Sequence, residues 1–146
     1  MMDSLRKMVR FLQLEEIVTF TGRVPHDEVQ SYYSLIDIAP LPRKGHRVCE
    51  LVSPLKPFEA MGAGKVVITS NVKALVEIIT DQETGLIFEK DNALDLAEKM
   101  KSVILDEDLR NTLGLNARKW VSETHSWEII SKRVIDVYQK LKEEKI

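Results

Sequence analysis

Glu59 is the residue of this chain best placed by type and neighbourhood to do chemistry, within the run Ser53 to Ser70, SPLKPFEAMGAGKVVITS. Proline is tolerated in the first turn of a helix and not in its interior, so a helix begins somewhere between Ser53 and Pro57. That helix carries Glu59 in its first or second turn, turns at a glycine and runs into the apolar, β-branched strand Val66–Thr69. A carboxylate so placed can accept both hydroxyls of a ribose in bidentate fashion, and the helix start keeps it ionised. Its ordinary alternative is the N3 glutamate of a capping box, and Ser53 has a simple competing job as an N-cap. In open α/β sheets ligands collect at the carboxyl ends of the strands, so this loop is where function is sought.

Other patterns do not hold up. Met61-Gly62-Ala63-Gly64-Lys65 has Glu59 where a Walker loop needs its first glycine, and Val66 where it needs the Ser/Thr that holds magnesium. Gly62-x-Gly64 lacks a third glycine and follows a helix, so it is no dinucleotide fingerprint. His26, His46 and His125 are scattered, and His46-x-x-Cys49 has no second pair of ligands, so no metal site is expected. Trp120, Trp127 and Tyr138 at helical positions read as core packing.

The elements that must position Glu59 alternate. Residues 3–13 read as a helix after Asp3, 17–21 as a strand stopped by Gly22, and Asp27 caps a short helix through Ser34. Residues 36–39 read as a brief strand, 41–52 as loop, 73–79 as a helix and 86–88 as the last strand. From Asp91 onward only helices are expected. Ala93–Leu105 has Leu94, Ala97, Met100, Val103 and Ile104 on one face, a further helix starts at Asp106 or Asp108 and reaches about Leu115, and another holds Ala117–Val121. Ser126 caps a last helix to Leu141, and residues 142–145 read as a solvated end. Strands separated by helices imply a parallel sheet.

Four stretches resemble, in order, those of the retaining GT-B glycosyltransferases of group 1. Val18-Thr19-Phe20-Thr21-Gly22-Arg23-Val24 is similar to the family's V-x-F-x-G-x-V strand, and Tyr32 to Pro40 to its tyrosine, aspartate and proline stretch. Ser53-Pro54-x-Lys56 through Glu59-Ala60-Met61 and Gly64-Lys65-x-Val67 is similar to the nucleotide-sugar signature. Glu77-Ile78-Ile79 with Thr84-Gly85-Leu86-Ile87-Phe88 is similar to its ending. The resemblance covers roughly Leu14 to Phe88.

The resemblance implies a UDP- or GDP-sugar donor with Glu59 on the ribose, transfer without a metal or other cofactor, and no catalytic residue within these residues. Lys56 at the helix entrance would offset the donor diphosphate, with the backbone amides of Leu55 and its neighbours donating to phosphate oxygens; a solvent-exposed lysine is the alternative. Gly22 and Val24 would present main chain to the nucleobase. The family's paired carboxylate stands eight residues before Glu59, where this chain has Leu51; Glu50 is one position off and substitutes only if the loop slips. The charged loop from Arg43 to Arg47 lies close to where a diphosphate would sit, although such a run is usually a solvated loop.

The expected fold is a partial Rossmann-like α/β domain: a parallel sheet of about four strands flanked by helices, with a helical C-terminal tail. One truncated nucleotide-sugar-binding lobe spans 1–146, with an α/β region over 1–90 and helices over 91–146. The family's six-stranded order implies that two central strands are missing between strands 17–21 and 36–39. Either those two pair directly, or a homodimer or a partner chain supplies the neighbour. Alone, the chain is expected to be inactive; the alternative is a non-catalytic partner subunit or interaction module that completes an active site with a separate chain.

Composition narrows the class. The 146 residues are one domain's worth, and 44% hydrophobic with 30% charged is ordinary for a globular protein. A net charge of −2 argues against a general nucleic-acid or anionic-membrane binder. Cys49 alone excludes an internal disulfide, and no run reaches membrane-spanning length, so a cytoplasmic setting with at most peripheral membrane contact is expected.

Overall fold

The computed structural model describes residues 2–143. The chain order is α1 (Met2–Phe11), a 3-10 turn (His26–Glu28), α2 (Val29–Leu35), β1 (Ile38–Leu41), α3 (Arg47–Leu51), α4 (Lys56–Gly62), β2 (Val66–Ser70), α5 (Lys73–Val76) and β3 (Leu86–Phe88). The helices α6 (Ala93–Leu105), α7 (Glu107–Thr124) and α8 (Trp127–Glu143) complete it. The three strands form one parallel sheet in the order β1-β2-β3.

Central β2 explains the layering. Its residues Val66-Val67-Ile68-Thr69-Ser70 are all buried, as a strand covered on both faces must be. Val67 joins Ala60, Met61, Leu75 and Ala117 on one side. Val66 and Ile68 join Leu86, Phe88, Val103 and Leu113 on the other. Alternation along one strand thus packs α4 and α5 to one face and α6 to the other, while α7 reaches both through Ala117 and Leu113. Thr69 is fully buried in that strand, and its hydroxyl has no partner among the described residues.

Several expectations meet corrections. Residues 17–21 form no strand, so the sheet has three strands, not four, and the proposed direct pairing with 36–39 does not occur. β-Branched residues favour a strand only where a neighbour offers a ladder, and none is there. The loop 41–52 contains α3, and the two helices expected between 106 and 121 are one continuous α7. In α6 the buried face is Leu96, Met100 and Val103, while Leu94 is 79% exposed and Ile104 56%. Asn92, not Asp91, caps α6 by accepting from the Asp95 N–H; Asp106 caps α7 as expected, accepting from Leu109 N–H at 2.8 Å. Trp120 packs against the core, but Trp127 is 80% exposed and Tyr138 66%. Neither α1 nor α8 buries a residue.

The free side of β1 follows from its register. Val66 N–H donates to the Asp37 carbonyl, so 37, 39 and 41 face β2. Ile38 and Pro40 therefore turn their main-chain groups outward, and Pro40 has no N–H to offer, as suits an edge strand.

Candidate functional site

The carboxyl end of β1 runs through Pro40 and Leu41 into Pro42 and Arg43, and the chain returns past it at Pro54 and Leu55 to begin α4. These residues and Lys56 line a cleft of about 480 Å³. A second concavity, of about 420 Å³, opens at the amino end of β2 between Asp37, Lys65, Arg110 and Arg118. Parallel sheets take ligands at their carboxyl ends, which makes the first cleft the candidate.

Each expected site residue has a definite place. Leu55 and Lys56 line the cleft. Glu59, one turn further along α4, does not; its carboxylate is half-buried and accepts from the Tyr33 hydroxyl at 3.4 Å. Burial raises the Tyr33 pKa above its usual value, and the neighbouring Glu59 charge and that hydrogen bond add to the rise. Glu59 has no ion-pair partner among the described residues. Ser53 is exposed and caps nothing, because α4 begins at Lys56 after Leu55 with no side-chain cap.

Glu50 is occupied. Its carboxylate accepts from the Lys73 N–H at 2.7 Å and pairs with Lys90 Nζ at 2.6 Å, tying α3 to the start of α5. The Lys73 bond, then that to Lys90, holds its pKa below the usual carboxylate value. Gly22, at φ 70°, and Val24 lie in the irregular segment before the 3-10 turn, and neither lines the cleft.

One participant was not singled out by the sequence, and another was marked only as part of a charged loop. Tyr33 meets Glu59 across 26 residues of chain, a separation that no local pattern reports. Arg43, one cation among several in its loop, reaches the cleft because its N–H donates to Ser70 Oγ at 3.0 Å and its Nη1 to the Val52 carbonyl at 2.7 Å. An aromatic stack supports α4 from behind: Phe58 lies 6.4 Å from Trp120, near-parallel at 13°, with His125 4.6 Å from Trp120.

A parallel, helix-covered sheet with a cationic cleft beyond its strand ends defines the class of Rossmann-like α/β ligand-binding domains. Within that class, the chain belongs to the glycosyl transferases group 1 family, whose model matches residues 1–120. It is 26% identical, over 137 residues and 92% of its length, to a GDP-mannose-dependent phosphatidylinositol monomannoside mannosyltransferase of Mycobacterium tuberculosis. It superposes on a sucrose-phosphate synthase from Thermosynechococcus elongatus with a TM-score of 0.84 at 28% identity, covering 96% of this chain and 34% of that one. Against the C-terminal domain of a group 1 glycosyl transferase from Francisella tularensis the TM-score is 0.75 at 25% identity, covering 86% of this chain and 62% of that one. The chain spans 34% and 36% of the length of two curated relatives it matches.

Proposed function

We propose that this chain is a truncated nucleotide-sugar-binding lobe that contributes to glycosyl transfer from a UDP- or GDP-sugar. The carrying observation is the cleft at the carboxyl end of β1, which receives Leu55 and Lys56 from the segment that also holds Glu59. Glu59 is the ribose contact, free of any ion pair among the described residues and steadied by Tyr33. Leu55 and Lys56 face the donor phosphates, while Glu50, already held by Lys90 and the start of α5, takes no part in sugar recognition. Ser53 shapes the loop without touching the donor. A nucleobase contact at Gly22 and Val24 requires that segment to move to the cleft.

A GDP-mannose-dependent relative favours a sugar nucleotide as the donor class. That relative's acceptor is a lipid, which suits a cytoplasmic protein with peripheral membrane contact. The reading calls for no metal: cationic side chains stabilise the leaving diphosphate. Too few such groups are present for turnover, so the chain alone is catalytically silent. Titration with UDP, GDP and their sugars, followed by amide chemical shifts, tests the reading. Binding in the millimolar range that Glu59→Ala weakens is the expected result; binding that the substitution leaves unchanged removes Glu59 from the site.

One observation favours a second reading, in which the chain completes an active site on a partner. β1 leaves an open edge, and Leu5, Met8 and Phe11 of α1 are 44%, 58% and 86% exposed. Co-purification with a separate strand-bearing chain supports that reading, and recovery as a monomer with no such chain opposes it.

A further inference from the structure

We propose that the concavity at the amino end of β2 is a second ligand site, one that takes a small phosphomonoester whose body carries hydroxyl groups. It lies at the other end of the sheet from the cleft beside Lys56, shares no lining residue with it, and does not depend on the donor reading. Lys65 enters it from the turn that leads into β2, and Arg110 and Arg118 enter from α7. The three cations are not equivalent. Arg110 is half-buried and anchored, its Nη1 donating to the Val103 carbonyl at 2.9 Å and the Ile104 carbonyl at 3.3 Å, two acceptors that the end of α6 leaves without helical partners. Its Nε and Nη2 edge keeps three N–H donors, enough to hold two phosphate oxygens at once. Arg118 runs its stem past the turn at Gly64, where an added Cβ would lie 3.7 Å from Arg118 Cδ, and its head is exposed.

One carboxylate, that of Asp37, also lines the concavity, and it forms no ion pair with any of the three among the described residues. The cations are therefore not neutralised from within. Like charges gathered around one hollow repel each other, and an anion relieves that repulsion. A phosphomonoester brings close to two negative charges at neutral pH and three acceptor oxygens. The polar remainder selects what the phosphate is attached to. Asp37, its main chain held by the Val66 N–H on its carbonyl, repels a bare phosphate but accepts from hydroxyls, and Asn111 offers both a donor and an acceptor. Leu115 is 69% exposed and gives a carbon skeleton an apolar surface to lie on. A volume of about 420 Å³ suits one phosphate on a short hydroxylated chain or ring.

Titrations of the full chain followed by amide chemical shifts test the site, with ribose 5-phosphate, inorganic phosphate and ribose as probes. Wild type is compared with Arg118→Met, Lys65→Met, Arg110→Ala, Asp37→Asn and Lys119→Met. Lys119 is an exposed cation of the same helix that does not line the concavity, so its loss removes equal charge from outside the site. Ribose 5-phosphate should shift the amides of Gly64, Lys65, Asn111 and Leu115, bind more tightly than inorganic phosphate, and exceed ribose by far. Arg118→Met and Lys65→Met should each weaken it about tenfold, Asp37→Asn should narrow its lead over inorganic phosphate, and Lys119→Met should leave it unchanged. Arg110→Ala should abolish it, and because that change also uncaps α6, Arg118→Met, which keeps the alkyl stem, carries the test if Arg110→Ala unfolds. Wild-type chain that does not respond to ribose 5-phosphate overturns the site. So do shifts confined to Leu41, Arg43 and Lys56, which would put the ligand in the other cleft. Equal weakening by Lys119→Met and Arg118→Met would show diffuse charge in place of a site, and inorganic phosphate binding as tightly as the ester would remove the hydroxyl contacts and with them the proposed ligand class.

Discussion

Gly114 governs how closely α7 approaches the turn that ends α4, and substituting it puts a number on that approach. A Cβ added there would lie 2.4 Å from the Gly64 carbonyl oxygen and 3.3 Å from its carbon. Gly64 itself sits at φ 71°, a conformation that ties the oxygen to the backbone of a tight turn. Non-bonded heavy atoms settle at about 3.5 Å, so helix and turn must separate by roughly 1 Å. Overpacking of this kind costs about 1–3 kcal/mol, partly offset by the ~1 kcal/mol that alanine gains over glycine within a helix. Gly62→Ala supplies the control: it also lies in a helix, and an added Cβ meets nothing within 4 Å. Urea and thermal unfolding should place Gly114→Ala about 1–3 kcal/mol below Gly62→Ala, a separation of roughly 3–10 °C in Tm for a chain of this length. Equal stability, or a more stable Gly114→Ala, would refute the contact.

Two further outcomes follow from the site's surroundings. The folded pKa of Glu50 lies below its unfolded value of 4.5, so its contribution to stability is complete above that pH and disappears as the pH falls through the folded value. Glu50→Gln should therefore be less stable than wild type at neutral pH and converge on it in acid; parallel curves across pH 2 to 7, in steps of about half a unit, would contradict the linkage. Thr69 hides within β2 a hydroxyl with no partner among the described residues, and Thr69→Val should raise the urea midpoint by the equivalent of about 1 kcal/mol, whereas a lowered midpoint would mean the hydroxyl is satisfied.

What was legible in the sequence had a local cause. The apolar run of β2, the Asp106 cap and the start of α4 beside Pro57 are each written in a few consecutive residues. The Glu50–Lys90 pair joins residues 40 apart, and the Tyr33–Glu59 contact joins residues 26 apart, so neither could be read from neighbours. Residues 17–21 carry strand-forming side chains without a strand beside them, and composition cannot report a missing neighbour. Helix α7 runs on past Leu115 because Gly114 is buried against the Gly64 turn and does not act as a breaker. Among the family-derived site residues, Leu55 and Lys56 lie at the cleft, while Glu50 is bonded to the Lys73 N–H and to Lys90.

Pro40 sets the terms on which anything can join this sheet. The outward side of β1 presents a single donor, the Ile38 N–H, and two acceptors, so an added strand must key its alignment to Ile38 and finds no second anchor one step along. Copies of the chain meeting rim to rim would satisfy too few main-chain groups to propagate a ribbon. The same proline that loosens an added strand's grip therefore keeps the free edge of β1 from templating aggregation.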